Sequence, residues 1–310
     1  MKTVFLDNHT SLSNPCAATI GFFDGVHRGH QYLIRKMADE ARRRGLEAMV
    51  ITFDHHPRQV LNADYQPMLL NTLDEKLALL EKTGIDKCVV LPFDNGMASM
   101  PAKAFMHDVL KDKLNVRLLI MGYDNRFGHS RSESFDDYVE YGKELQIEVM
   151  RNDAFGIGEI NVSSSMTRAL LQEGEAEMAA RCLGYSYMIS GEVVHGSHVG
   201  TGIGFPTANI KVGNACKLIP ANGVYAVRVW LSDVNGSVAG MMNIGTCPTF
   251  DGTERKIEVH IFNHQSDLYG KQIAVSFIKK IRQEKKFRSV NELTKQLNHD
   301  ADEARNILGL

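Results

Sequence analysis

Two imidazoles three residues apart, His27 and His30, close the stretch GFFDGVHRGH at residues 21–30. Side chains at that spacing share one face of a helix. At a helix start they join first-turn N–H groups and the positive end of the helix dipole, a ready site for phosphate. From there they can donate hydrogen bonds to oxygens that gain charge during displacement at phosphorus. Gly21 ends an apolar run, Phe22 and Asp24 turn the chain, and Gly25 and Gly29 let backbone approach an anion closely. In a chain with 12 His such a pair alone is commonly incidental, so its weight comes from the strand, turn and helix around it and from three further segments.

TFDHHP, residues 52–57, follows a second apolar run and emerges on the same sheet edge. A metal reading of Asp54, His55 and His56 competes with a polar turn, and the turn is preferred because adjacent residues rarely aim at one ion. MGYDNRFGHSR, residues 121–131, combines Gly122 with Asp124, Arg126 and Arg131. Those arginines suit phosphates and the aspartate a ribose or amino group, and solvated loop charge is the alternative. VSSSMTRALL, residues 162–171, reads as a helix start with Ser163 and Ser164 near the cap and Arg168 one turn in. Hydroxyls, backbone N–H groups and a guanidinium make a clamp for a triphosphate tail, where a bare capping motif is the alternative.

A second constellation occupies HGSHVGTGIGFPTAN, residues 195–209. Gly196, Gly200 and Gly204 permit a loop whose N–H groups converge on an anion. No helix follows and Pro206 ends the loop, which rejects a dinucleotide-binding fingerprint. Thr207 and Asn209 supply short oxygen ligands suited to a magnesium ion that keeps its waters and bridges phosphates. Glu258 shares one strand face with His260, opposite Ile257, Val259 and Ile261. That face is either a ligand cleft or water.

These residues need scaffolds of two kinds. Short apolar runs at 17–22, 46–53, 87–93, 116–121 and 147–150 alternate with amphipathic helices at 30–44, 71–82 and 101–114, a pattern that predicts a Rossmann-like parallel sheet covered on both faces. Gly45 suits a left-handed helix cap. Beyond residue 184 the rhythm changes to strands at 187–194, 223–231, 237–244, 256–262 and 272–281 separated by Gly and Asn turns. It predicts a small antiparallel β-barrel closed by a terminal helix at 289–308, capped by Ser289. The expected domains are 1–183 and 184–310, consistent with 310 residues.

Composition agrees with a folded protein and narrows the partners. The 35 Lys+Arg against 37 Asp+Glu leave a formal charge of −2, so no global basic surface for nucleic acid is expected and anionic ligands must be met locally. Five scattered cysteines without a CxxC pair point to neither a zinc cage nor a disulfide framework and fit a reducing cytoplasm. Neither a signal peptide nor a membrane-spanning run is expected.

GFFDGVHRGH, TFDHHP, GYDNRFG and VSSSMTR, in this order, resemble the adenylyltransferase half of bacterial bifunctional riboflavin kinase/FMN adenylyltransferases (FAD synthetases), members of the HxGH nucleotidyltransferase superfamily. GFPTAN, NGVYAV, MNIGTCPTF, IEVHIF, DLYG and IRQEKKF resemble their riboflavin kinase half. The resemblance implies that ATP and magnesium serve both reactions, riboflavin to FMN and then FMN to FAD with release of pyrophosphate. It implies His27 and His30 at the α-phosphate of ATP, Ser163, Ser164 and Arg168 at the leaving pyrophosphate, and the loop 122–128 beside the nucleotide. On the kinase side it implies magnesium and ATP at Thr207 and Asn209, and Glu258 as the base for the ribityl hydroxyl. Asn125 stands where the family usually has Phe and Ser165 where Thr is common, which bears on flavin-side packing. Thr201 stands where the family commonly has Arg or Lys, and Cys247 where Arg is frequent. Fewer cations beside phosphate predict weaker ATP binding by the kinase.

Overall fold

The computed structural model describes residues 1–62, 64, 66, 68–123, 125–129, 132–153, 155–157, 160–196, 200–249, 252–264 and 266–310, with backbone alone at 157, 160, 201, 247–249 and 252–254. It divides into two compact units, Met1–Ser164 and Ser165–Leu310.

The first unit is built on six parallel strands, β1 (Lys2–Phe5), β2 (Cys16–Ile20), β3 (Glu47–Phe53), β4 (Lys87–Leu91), β5 (Val116–Met121) and β6 (Glu148–Arg151), in the order β1-β4-β3-β2-β5-β6. The apolar runs of the four inner strands are nearly unbroken because both faces are buried. Ala18, Ile20, Met49, Ile51, Leu119 and Met121 belong to one core. The alternating neighbours Ala17, Ala48, Val50, Leu118 and Ile120 belong to the other. Helix α1 (Arg28–Arg44) lays Leu33, Ile34, Met37, Ala38 and Ala41 on the second core and ends at Gly45 with φ 66°, the predicted left-handed cap.

Two short helices, α2 (Pro57–Leu61) and α3 (Leu73–Glu81), follow β3, and α4 (Asn95–Ser99) follows β4. The predicted helix at 101–114 is α5 (Ala102–Ala104) continued by a π-helical stretch, Phe105–Lys113. The wider winding turns Phe105, Met106, Val109 and Leu110 together onto the first core. Helix α6 (Phe135–Leu145) adds Tyr138 and Leu145 there, and a small hairpin, β7 (Gly156–Ile157) with β8 (Ile160–Asn161), follows β6.

Helix α7 (Ser164–Glu173) begins at the division between the units, and α8 (Ala176–Leu183) follows it. The second unit then forms a closed antiparallel barrel of β9 (Met188–Val194), β10 (Ala208–Lys211), β11 (Gly223–Trp230), β12 (Ser237–Thr249), β13 (Gly252–Ile261) and β14 (Gln272–Arg282) in the order β10-β13-β12-β11-β14-β9. The terminal helix α9 (Val290–Leu308), capped as predicted by Ser289, packs Ala301, Ala304 and Leu308 against Ala226, Ala239 and Met241 of the barrel. No helix among the described residues is long and apolar enough to cross a membrane.

Candidate active sites

In the parallel sheet, β2 continues sideways to β3 while β5 lies on its other flank. The crevice beyond the carboxyl ends of β2 and β5 is therefore the topological switch point, where open α/β sheets bind ligands. The turn after β2 fills it. Phe23 (φ 54°), Gly25 (φ 80°) and Val26 (φ 36°) all take left-handed backbone, costly for the two residues with side chains and most of all for β-branched Val26. Three ties hold this shape. Asp24 is 3% exposed, and its carboxylate accepts from the backbone N–H groups of Leu70 and Asn71. The Ser164 hydroxyl donates to the Asp24 carbonyl at 2.8 Å. Gly21 N–H donates to the Ile51 carbonyl, and Phe23 lies so close that a Cβ on Gly21 would sit 3.1 Å from its ring.

His27 caps α1, its Nδ1 accepting from the His30 backbone N–H at 3.3 Å. An accepting Nδ1 leaves the ring proton of neutral His27 on Nε2. The His27 and His30 rings stack with centroids 3.6 Å apart, and Phe23 meets His30 edge-on. Burial, then the proximity of His27 and of Lys76, holds the His30 pKa well below the usual imidazole value. Its Nδ1 is buried with no hydrogen-bond partner among the described residues. The pair is thus a neutral, stacked donor platform at the N-terminus of a 17-residue helix. A Cβ on Gly29 would meet the His27 ring and the Val162 carbonyl, so glycine lets the 162–164 segment lie beside the helix start. Ser163 there is exposed.

The loop after β5 reaches the same crevice. Asn125 donates its amide to the Ile20 carbonyl at the end of β2, and its backbone N–H bonds the Gly122 carbonyl. Arg126 is exposed, while Asp124 and Arg131 lie outside the described residues. Arg168 stands one turn into α7 and donates to the Ser165 hydroxyl. Asp54 accepts from the N–H groups of His55 and Phe93, and His56 caps α2 through Nδ1, which is the polar turn.

Two of the barrel's cavities are lined by predicted kinase residues. The larger, about 290 Å³, is lined by Phe205, Thr207, Asn243, Glu258, His260 and Arg282 among others. The smaller, about 150 Å³, includes Pro206, Thr207, Val259, Asp267 and Tyr269. Thr207 lines both. Glu258 pairs in register with Asn209 on β10, and its strand face opens on the larger cavity rather than on bulk water. A Cβ at Gly196 would overlap the Asn209 amide, and one at Gly200 the Phe205 carbonyl. Gly200 closes the loop by accepting from the N–H groups of Ile203 and Phe205, with Gly204 at φ 84°. The side chains of Thr201 and Cys247 lie outside the described residues.

Family models for FAD synthetase and riboflavin kinase match residues 9–166 and 183–308. Bifunctional riboflavin kinase/FMN adenylyltransferases are similar throughout: that of Escherichia coli K12 is 39% identical over 295 residues, covering 95% of this chain and 93% of its own. That of Bacillus subtilis is 35% identical, covering 98% and 97%. The chain belongs to the bifunctional riboflavin kinase/FMN adenylyltransferase family. A crystal structure described as a macrolide-efflux protein from Streptococcus pneumoniae shares the fold, with TM-score 0.91, 30% identity and 99% of both chains covered.

Within this family framework the structure adds residues that sequence reasoning missed. His260 sits half-buried, its pKa lowered by burial, and its Nδ1–H donates to the Pro206 carbonyl at 2.8 Å, pinning the loop that carries Thr207. Arg282, at the end of β14, is fixed by the fully buried carboxylate of Asp300 on α9. The sequence signal for that pair is an Asp on the apolar stripe of an otherwise amphipathic helix. Lys76, on α3, is 3% exposed and bonds the carbonyls of Phe22 and Phe53, and its helical spacing gave no sign of it.

Proposed function

We propose that this chain phosphorylates riboflavin to FMN in residues 184–310 and adenylylates FMN to FAD in residues 1–183, with ATP as donor in both reactions. The observation that carries this reading is the pairing of two family matches with two separate constellations, each on its own fold. In the kinase reaction Glu258 takes the proton of the terminal ribityl hydroxyl, whose oxygen bonds to the γ-phosphorus as the bond to ADP breaks. A positioned carboxylate contributes about 10²- to 10⁴-fold to such a step. The larger cavity holds the flavin, and the glycine loop with Pro206, Thr207 and Asn209 holds the phosphates. Thr207 and Asn209, the latter in register with Glu258, form a hard oxygen donor set behind a cradle that only glycine at 196 and 200 leaves open. They suit magnesium, which when bound neutralises phosphate charge.

In the second reaction a phosphate oxygen of FMN bonds to the α-phosphorus of ATP and pyrophosphate leaves. His27 and His30 donate to the α-phosphate, the turn from Gly21 and Phe22 through Asp24, Gly25 and Gly29 shapes its seat, and Ser163, Ser164 and Arg168 hold the departing pyrophosphate. Gly122, Asp124 and Arg126 bind the nucleotide. Positioning and charge stabilisation dominate both steps. Free thiols at Cys16 and Cys88 accord with work in the cytoplasm. Incubation with riboflavin, ATP and magnesium, followed by chromatography, should yield FMN and then FAD. His30→Ala should stop the sequence at FMN, lowering FAD formation by about 10²-fold or more. Loss of both products together would refute two separate sites.

A further inference from the structure

We infer that Lys76 is a positioning residue for adenylyl transfer: its buried ammonium joins the turns after β2 and β3 and so fixes the strained backbone that presents His27 and His30. This rests on reading those histidines as the adenylyl-transfer site. The ammonium donates to the Phe22 carbonyl at 3.2 Å and to the Phe53 carbonyl at 2.9 Å. The Thr52 hydroxyl donates to the same Phe22 carbonyl at 3.1 Å, and the Phe22 ring lies over the ammonium at 4.3 Å. Two neighbouring strands thus end in turns that share one cation. The next residues of the first turn are Phe23, Asp24, Gly25 and Val26, three of them at positive φ. Without the cation the Phe53 carbonyl loses that buried donor and the Phe22 carbonyl is left with the Thr52 hydroxyl, so the tie that joins the two turns is gone and the strained backbone is less firmly held at its first residue.

The same cation acts on the chemistry through charge. His30 is held neutral by burial, by His27 and by Lys76, and a neutral ring at this place is what the stacked pair requires. Burial draws the Lys76 pKa down to about 8, with Asp24, Cys88 and Asp54 acting in the opposite sense. Those groups and His30 are the titratable neighbours facing it from the two turns, β4 and α1. The ammonium therefore loses its proton as pH rises through about 8, and its two carbonyl bonds lose the charge that strengthens them.

The test is Lys76→Met in the full chain, with both activities measured on one preparation. FAD formation from supplied FMN should lose at least tenfold in kcat, with KM for FMN within threefold and riboflavin phosphorylation unchanged. The His30 imidazole resonance, assigned by its loss in His30→Ala, should titrate at a higher pH in the variant. A kcat within twofold of the parent, or an unmoved His30 midpoint, overturns the inference. If FAD formation survives His30→Ala itself, the site reading falls instead. Should Lys76→Met not fold, 13Cε-lysine NMR of the parent protein decides. One lysine titrating near pH 8, with kcat for FAD formation falling at the same midpoint and FMN formation steady, supports the role. A coincident fall in both activities, or no such lysine, refutes it.

Discussion

Replacing Asp300 with Ala should weaken the barrel unit by about 3 kcal/mol, the low end of the cost of breaking a buried ion pair. Asp300 has no exposed surface, and its carboxylate accepts from Arg282 Nε at 2.9 and 3.0 Å, from Arg282 Nη2 at 2.7 Å and from Gln296 at 2.9 Å. Alanine removes every one of these acceptors and leaves a guanidinium and an amide facing a hole. The Arg282 side chain is 20% exposed and keeps its bond to the Gln283 carbonyl, so water offsets part of the loss and the low end applies. With a urea slope of about 2 kcal/mol/M, the midpoint should fall by about 1.5 M. The chain's 1 Trp, Trp230 on β11, makes fluorescence a reporter of this unit alone. Arg282→Met combined with Asp300→Leu should recover most of the loss, because apolar replacement of a buried pair is close to neutral. A midpoint within about 0.3 M of the parent, or a double variant as weak as the single one, would refute the pair as the link between α9 and β14.

Two further outcomes follow from the sites and the thiols. Glu258→Gln should cut riboflavin phosphorylation by about 10²- to 10⁴-fold while supplied FMN still becomes FAD at the parent rate, and an unchanged kinase kcat would remove Glu258 from its role. Alkylation at pH 8 should modify half-buried Cys216 well before Cys16 and Cys88, whose thiols burial pushes up to about 12; peptide mapping that finds either buried thiol labelled first in the folded protein would contradict the packing of β2 and β4.

Both folds and the two constellations were legible because their signals are local. Continuous apolar runs, Gly45 at a helix end and Ser289 at a helix start report their own backbone. Edge strand β1 escaped because KTVF is four residues long and half-exposed, too short for a period to register. Helix α6 escaped although Ser134 and Asp137 form a capping box, since the loop before it was read for its arginines. Four-residue β10 was read only as the exit of the glycine loop. His260 showed only as a neighbour of Glu258 and Asp300 only as an odd Asp on an apolar stripe, because their partners, like those of Lys76, lie on other elements and leave no local signal. Asp24 shows the same limit from the other side. Its place in the motif marks it as a turn residue, and the fold gives its carboxylate to the amides of Leu70 and Asn71.

The two turns that meet phosphate in this reading solve one steric problem in different ways. In the barrel, Gly196, Gly200 and Gly204 stand where a Cβ would collide or a positive φ is required, so their backbone shape comes at little local cost, and the His260 bond to Pro206 joins the Gly200 bonds in holding residues 200–206. In the sheet, Phe23 and Val26 carry side chains into left-handed backbone, at about 1–3 kcal/mol each. What they gain is burial: Phe23 is 3% and Val26 1% exposed, and Phe23 walls in His30. A glycine at either place would relieve the strain and open the core under the histidines. The strain is therefore offset by ties from outside the turn, those of Leu70, Asn71 and Ser164 to Asp24, of Ile51 to Gly21 and of Lys76 to Phe22, which makes the adenylyl-transfer turn sensitive to changes well outside its own motif and the kinase loop sensitive mainly to its own glycines.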